Sequence, residues 1–130
     1  DLTDPRWTIG KRYIRLRTDE ASPEPQKIGI ANKQEWAAYL RGETLFVKRF
    51  AYRDGSAYPD YGSNTETFTA GSYIELETLG PLARVEPKSF ADHVERWHLF
   101  GGVSSGSSET SLDEAIAPPI LKSLVRMPEL

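Results

Sequence analysis

Polar and apolar residues alternate along several short segments of this chain, which is the pattern of half-buried β-strands. The clearest case is the segment 72–81, Ser-Tyr-Ile-Glu-Leu-Glu-Thr-Leu-Gly-Pro. Ile74 and Leu76 would face one side of such a strand, and Glu75 and Glu77 the other. The Gly-Pro pair would end it. Comparable patterns predict further strands at residues 12–17, 27–31, 43–52, 65–69 and 89–100.

Two segments carry helix-start patterns. Asn32 followed by Glu35 matches a capping box and predicts a short middle helix over residues 32–42. Ser111 followed by Glu114 matches a second box and predicts a C-terminal helix. The apolar positions of this second helix recur every fourth residue, at Leu112, Ile116, Ile120 and Leu124.

Several strands separated by turn residues, together with two short helices, predict a mostly β protein built as an antiparallel β-sandwich. We expect a β-sandwich domain over residues 1–103 and a flexible Gly/Ser loop over 104–110. A helical tail over 111–130 would pack on the same domain. The pair Pro118-Pro119 is expected to break or kink that tail helix.

Composition narrows the possible functions. The chain has 130 residues, enough for one hydrophobic core, and a formal net charge of -3, which argues against a nucleic-acid-coating protein. The absence of cysteine excludes disulfides and thiolate chemistry. No apolar run is long enough for a membrane span, no cofactor motif is visible, and no metal site is predicted. The compartment is not determined.

The candidate chemistry begins with Glu75 and Glu77, whose carboxylates would lie about 7 Å apart on one strand face. They could be ordinary acids on a solvated face, or they could line a groove in which one acts as a general base. Lys48 falls among aromatic residues of the 43–52 strand. It could extend to water or pair with one of these glutamates.

A turn-rich loop offers a second set of candidates. Tyr58 and Tyr61 lie just before Glu66, with Asp60 and Asn64 between them. Aromatic rings beside amide and carboxylate groups suit a sugar, because a ring covers the C–H face and the polar groups bind the hydroxyls. An ordinary loop has the same composition. His93 and His98 would face opposite sides of a strand and so would not share a metal.

Four segments share a further pattern: Leu76-Glu-Thr78, the Gly-Pro turn after it, residues 85–90, and the Glu95-Arg-Trp97 strand. Together they resemble the C-terminal part of the galactose mutarotase-like (aldose 1-epimerase-like) superfamily. Uncharacterised bacterial members of that superfamily are the most similar, through Tyr58-Pro-Asp-Tyr-Gly62 and the block 74–81. The resemblance extends from Asp4 to the tail helix. It implies a partial or complete mutarotase-like supersandwich.

The resemblance also implies a site. By its Leu-Glu-Thr motif, Glu77 would be the catalytic general base of an isomerase that interconverts sugar anomers. The active enzymes carry their histidines earlier in a longer domain, and Leu79 and Lys88 depart from the family pattern. Catalysis is therefore left open. The chain could be a fragment, could pair with a second copy, or could be a small domain that has lost the chemistry.

The sequence thus predicts a carbohydrate-binding, mutarotase-like domain with a sugar or glycan as its partner, without cofactor, metal, nucleic acid or membrane. The expected groove residues are Lys48, Tyr58, Tyr61, Glu66, Glu75 and Glu77. The alternative is a structural or interaction domain. It would form a homo-oligomer through its sheet edges, or bind a partner through the apolar face of the tail helix.

Overall fold

The computed structural model of the chain describes residues 1–124. These residues are mostly β, with antiparallel sheets and two helices, which confirms the predicted fold class. The elements in chain order are β1 (Trp7–Ile9), β2 (Ile14–Leu16), β3 (Gln26–Ile30), β4 (Trp36–Arg41), β5 (Thr44–Phe50), α1 (Pro59–Gly62), β6 (Thr65–Ala70), β7 (Tyr73–Thr78), β8 (Glu95–Phe100) and α2 (Glu109–Lys122).

The chain divides into two compact units. The first unit holds Asp1–Glu35 and Phe50–Glu95, and the second holds Trp36–Arg49 and the described residues from Arg96 onward. The first unit contains the two-stranded sheet β1-β2 and the three-stranded sheet β3-β6-β7. The second contains the three-stranded sheet β4-β5-β8, apart from single end residues of two strands, together with α2.

In the first unit, the alternation along each strand separates an apolar face from a polar one. Ile28 and Ile30 of β3 share a face with Ile74 and Leu76 of β7, because the register places these positions on the same side. Threonines of β6 lie between them, and Thr69 is fully buried. The indole nitrogen of Trp7 in β1 donates a 2.8 Å hydrogen bond to the Gln26 side chain, which links the small sheet to β3.

A buried arginine connects the N-terminal segment of the first unit to the loop before β3. Arg6 is 1% exposed, and its guanidinium donates to the Asp4 carboxylate at 2.8 Å. It also donates to the carbonyl oxygens of Ser22 at 2.9 Å and Glu24 at 2.7 Å. Buried charges need this kind of complete pairing to be tolerated. Arg6 thereby fixes the loop before β3 to the start of the chain.

In the second unit, α2 lies against one face of the sheet. Leu45 and Val47 of β5 are fully buried on this face, together with Arg49. The Arg49 guanidinium donates to Ser123 Oγ at 2.8 Å and to the carbonyl oxygen of Ile120 at 2.7 Å. These acceptors lie at the C-terminal end of α2, where carbonyl groups have no partner within the helix.

The prediction of a middle helix over residues 32–42 is wrong, because no helix forms there. Residues 36–41 form β4, which pairs along its whole length with β5 through a turn at Gly42, whose φ is +58°. Glu35, expected inside the helix, has a left-handed φ of +60°, and its carboxylate accepts the N–H of Tyr52 at 2.8 Å. Pairing with the strongly apolar β5 outweighs the local capping pattern.

Other boundaries also differ from the sequence predictions. The long strand expected over 89–100 is regular only from Glu95. The tail helix begins three residues early, because Ser108 Oγ accepts the N–H of Ser111 and so caps it. It continues through Pro118-Pro119 and ends soon afterwards, at Lys122. The predicted position Leu124 lies beyond the helix, and residues 125–130 of the predicted tail lie outside the described residues.

Candidate functional site

The register of the sheet β3-β6-β7 brings a lysine and two glutamates onto one face. Glu66 of β6 lies opposite Gly29 of β3 on one side and opposite Glu77 of β7 on the other. Lys27, two residues before Gly29, projects from the same face. Its Nζ lies 2.5 Å from Glu66 Oε2 and 3.7 Å from Glu77 Oε2. One ammonium group therefore bridges carboxylates from two neighbouring strands.

The three charged side chains differ in their access to water. The Glu66 side chain is 4% exposed, whereas those of Lys27 and Glu77 are 49% and 45% exposed. The hydrogen bond to Glu66 raises the pKa of Lys27, and attraction to Glu66, Glu77 and Asp60 adds to this against the opposing effect of burial. Lys27 is therefore a persistent cation and a hydrogen-bond donor, not a neutral amine nucleophile.

Gly29 allows Ser63 and the Glu66 carboxylate of the paired strand β6 to approach β3 closely. A Cβ atom at this position would lie 2.6 Å from Ser63 Oγ and 3.2 Å from Glu66 Oε1. Both distances are shorter than ordinary contacts, so a side chain here would displace one of these groups. The lack of a side chain at Gly29 leaves room for the buried Glu66 carboxylate and for the Ser63 hydroxyl.

The wall beside this floor is the turn Pro59–Gly62. Asp60, Tyr61 and Gly62 have successive positive φ values of 48°, 61° and 95°. Ser63 closes the turn, since its N–H donates to Pro59 O at 2.9 Å and its hydroxyl to Asp60 O at 2.8 Å. This conformation leaves the Tyr61 ring fully exposed to solvent. The backbone itself thus presents an aromatic ring and a carboxylate next to each other.

Asn64 holds the turn against the sheet. It is fully buried, and its side chain both accepts from Asn32 N at 2.6 Å and donates to Asn32 O at 3.1 Å. Its backbone donates to Ile30 O and accepts from Leu79 N. Asn64 therefore connects the end of β3, the start of β6 and the segment after β7. The positions of Ser63 and Glu66 on either side of it depend on these bonds.

The floor and the wall enclose an open groove of about 530 Å³ within the first unit. Such a volume is within the range of small-molecule sites. Its lining combines polar and apolar surface in nearly equal shares, with an aromatic ring at the turn. Hydroxyl-rich ligands suit such a lining, because carboxylates accept hydrogen bonds and an ammonium donates them. The lining residues are Lys27, Gly29, Ile30, Ala31, Asp60, Tyr61, Gly62, Ser63 and Glu66.

The structure brings together three of the residues predicted from sequence. Tyr61 and Glu66 line the groove, and Glu77 reaches the same ammonium group as Glu66. Glu75 is exposed on the same strand face as Glu77, one row further from the turn, opposite Phe68. The alternation predicted for residues 73–78 is confirmed, with Ile74 and Leu76 on the more buried side.

Two other predicted residues lie elsewhere. Tyr58 is 8% exposed, stacks on Tyr52 with ring centroids 5.3 Å apart, and accepts the N–H of Arg53 through its hydroxyl. Its role in the structure is packing. Lys48 belongs to the second unit, where its Nζ lies 5.7 Å from the centre of the Trp97 ring. Neither residue is part of the groove lining.

The sequence analysis missed Lys27, which is central to the site, and did not assign roles to Gly29 and Ser63. One local indication existed. In Lys27-Ile-Gly-Ile-Ala31, isoleucine alternates with a charged residue and with glycine, which indicates a strand with one polar face. The partner of that lysine could not be identified, because the alignment of β3 with β6 depends on strand register.

A second polar cluster lies at the end of β7. The Thr78 hydroxyl donates to the Glu95 carboxylate and lies 2.7 Å from His93 Nε2. Gly80 leaves room for the His93 ring, since a Cβ there would lie 3.3 Å from Nδ1. The cluster joins the end of β7 to the segment that leads into β8.

Among residues 1–124, no three His, Cys, Asp or Glu side chains are grouped so that they could hold a metal ion. No helix in the described part of the chain is long and apolar enough to cross a membrane. No protein-family model, curated protein or solved structure matches this chain. The groove itself is therefore the basis for assigning a function.

Proposed function

We propose that the chain is a carbohydrate-binding domain whose site is the groove between the turn 59–62 and the face of β3, β6 and β7. The observation that carries this proposal is the Lys27 ammonium between the Glu66 and Glu77 carboxylates, beside the exposed Tyr61 ring. A sugar offers one apolar C–H face and a rim of hydroxyls. The ring would cover the first, and the charged groups would bind the second.

The charged groups are already arranged before any ligand arrives. Glu66 is buried and held by Lys27, Gly29 leaves space for its carboxylate, and Asn64 fixes the neighbouring backbone. A preorganised site loses less conformational entropy on binding than a flexible one. Tyr61 also needs no rearrangement, because its backbone conformation already presents the ring to solvent.

The mutarotase-like resemblance extends this proposal to catalysis. In that version Glu77 acts as the general base on the anomeric hydroxyl, and Lys27 stabilises its charge from 3.7 Å away. The version requires an acid to protonate the ring oxygen. Polarimetry on fresh α-glucose and α-galactose tests it. Faster mutarotation with the wild-type chain than with Glu77→Gln supports catalysis. Equal rates contradict catalysis and leave only the proposal of sugar binding.

Binding is tested most cleanly through the Tyr61 ring. Tyr61→Asn removes the ring, and asparagine tolerates a positive φ, so the turn is expected to keep its shape. We expect monosaccharide affinity, measured by NMR titration, to fall by about fivefold, because an aromatic contact contributes about 1 kcal/mol. Tyr61→Phe keeps the ring and serves as the matched control, with affinity close to wild type.

Glu66→Gln and Glu86→Gln form a second matched pair. Both remove one carboxylate, but Glu66 is buried in the groove whereas Glu86 is exposed and pairs with Arg84. Sugar binding should weaken only in Glu66→Gln, and thermal unfolding of both variants identifies any loss of folding. If a panel of neutral and charged monosaccharides shows no binding at millimolar concentration to the wild-type chain, the carbohydrate proposal is wrong.

A second candidate function is self-association through the second unit. Tyr39, Trp97 and Leu99 are 38%, 65% and 72% exposed. They share one sheet face, because Tyr39 pairs with Phe46 and the Phe46 ring contacts that of Trp97. Exposed apolar patches of this kind mark interaction sites. Light scattering that gives a dimer for wild type and a monomer for Leu99→Lys supports this function, and a wild-type monomer excludes it.

A further inference from the structure

The groove carries more negative than positive charge. Asp60 and Glu66 contribute two carboxylates to the lining and Lys27 contributes one ammonium, while the Glu77 carboxylate lies 3.7 Å from the same ammonium. Lys27 is already engaged with Glu66 and Glu77. The Asp60 carboxylate forms no ion pair among residues 1–124, although it lines the groove. A ligand entering here meets a surplus of negative charge at the wall.

The Tyr61 ring adds to the same preference. It lies next to Asp60 in the turn and is fully exposed. The face of an aromatic ring attracts cations as well as C–H groups. A carboxylate and a ring that are adjacent at the mouth of one groove both favour a ligand that brings an ammonium group. The Asp60 carboxylate also attracts Lys27 from a distance, but the two side chains form no ion pair.

We propose that the groove selects a sugar with a free ammonium group, an amino sugar, over neutral sugars, and rejects sugar acids and sugar phosphates. This inference rests on the proposed carbohydrate function and specifies its ligand class. The sugar ring lies against Tyr61, and the ammonium group pairs with the Asp60 carboxylate. Anionic sugars are disfavoured because Asp60, Glu66 and Glu77 repel them.

The test compares four ligands by NMR titration at mildly acidic pH, where the amine is protonated: glucosamine, glucose, N-acetylglucosamine and glucuronate. Since an exposed charge pair contributes up to about 1 kcal/mol, we expect glucosamine to bind about fivefold more tightly than glucose. N-acetylglucosamine should lose that advantage, because acetylation removes the charge. Glucuronate should bind most weakly. The preference for glucosamine should shrink as salt is added.

Asp60→Asn identifies the group responsible. Asparagine is well tolerated at the Asp60 φ of 48°, so the turn should persist while the charge is lost. The ratio of glucosamine to glucose affinity should fall to about twofold or less, in keeping with one lost surface charge pair. Asp54→Asn is the matched control, since Asp54 is an exposed aspartate that pairs with Lys33 and is not part of the groove lining. It should leave the ratio unchanged.

The outcomes separate this inference from the proposed function. Equal affinities for glucose and glucosamine, or tighter binding of glucuronate, would overturn the charge preference and leave the carbohydrate function standing. Ethanolamine, a small amine without a sugar ring, should bind far more weakly than glucosamine. If it binds equally well, the groove attracts cations in general and the amino-sugar inference is wrong. If none of the four sugars binds, both proposals fail.

Discussion

The two units have similar sheets but differ in the polarity of their buried side chains. Each contains a three-stranded sheet, yet the fully buried side chains of the first unit are Arg6, Asn64 and Thr69, whereas those of the second are Leu45 and Val47. The first unit maintains its interior through hydrogen bonds with defined geometry. The second unit buries mostly apolar side chains, with the hydrogen-bonded Arg49 beside them. The candidate site lies in the unit with the polar interior.

This difference has a physical consequence. Apolar packing is non-directional and tolerates small shifts, whereas a buried hydrogen bond requires its partners at fixed distances and angles. Asn64 binds Asn32 through both ends of its amide, and it is the neighbour of Ser63 in the groove wall. A hydrogen-bonded interior thus places groove residues more accurately than an apolar one. The protein loses more stability, however, if one hydrogen-bond partner is removed.

The largest effect is expected in the apolar unit. Leu45 is 1% exposed, so Leu45→Ala removes buried surface and leaves a cavity, which should lower the free energy of unfolding by about 3 kcal/mol. Urea denaturation followed by circular dichroism measures this loss. Leu121→Ala is the control, because Leu121 is 64% exposed, lies outside the proposed association patch, and should change stability by less than about 0.5 kcal/mol. Equal effects would contradict an apolar core at β5.

A smaller effect is expected from a glycine in each unit. Gly29→Ala places a Cβ against Ser63 and Glu66, and we expect a loss of about 1–2 kcal/mol together with weaker sugar binding. Gly101→Ala in the second unit meets nothing within 4 Å and should be neutral or slightly stabilising, by about 0.5 kcal/mol. Thermal unfolding and NMR titration measure both. A fully stable, sugar-binding Gly29→Ala would show that the close approach is dispensable.

The third comparison concerns how the stability of the first unit depends on pH in acid. Hydrogen bonds from the Arg6 side chain and backbone, helped by its charge, lower the pKa of Asp4 from 3.8 to about 2. A lowered folded-state pKa stabilises the protein above pH 3.8, and this contribution is lost as the pH falls from 3.8 towards 2. Asp4→Asn should therefore flatten this part of the stability curve measured by urea denaturation.

Leu45→Ala supplies the control for that acid profile, since removing an apolar side chain should lower stability equally at every pH. Parallel curves for wild type and Asp4→Asn between pH 3.8 and pH 2 would contradict a role for the Asp4–Arg6 pair in the acid stability of the first unit.

Sequence patterns alone identified much of this molecule. A composition rich in strand-forming residues located β5, and alternation located β7 and put Glu75 and Glu77 on its exposed face. The capping box at Ser111 located the start of the tail helix to within three residues. Composition excluded cysteine chemistry. These features were accessible because strand alternation and helix capping depend on residues that are close in sequence.

Tertiary structure decided the rest. Residues 36–41 form a strand because β5 pairs with them, although the local pattern favoured a helix. Lys27 meets Glu66 and Glu77 because β3, β6 and β7 align in one particular register, and a shift by one residue would turn every one of these side chains to the other face. Tyr58 packs inside while Tyr61 faces solvent because three successive residues adopt left-handed backbone conformations. Register and turn conformation arise from contacts between distant segments, and no local window of the sequence contains them.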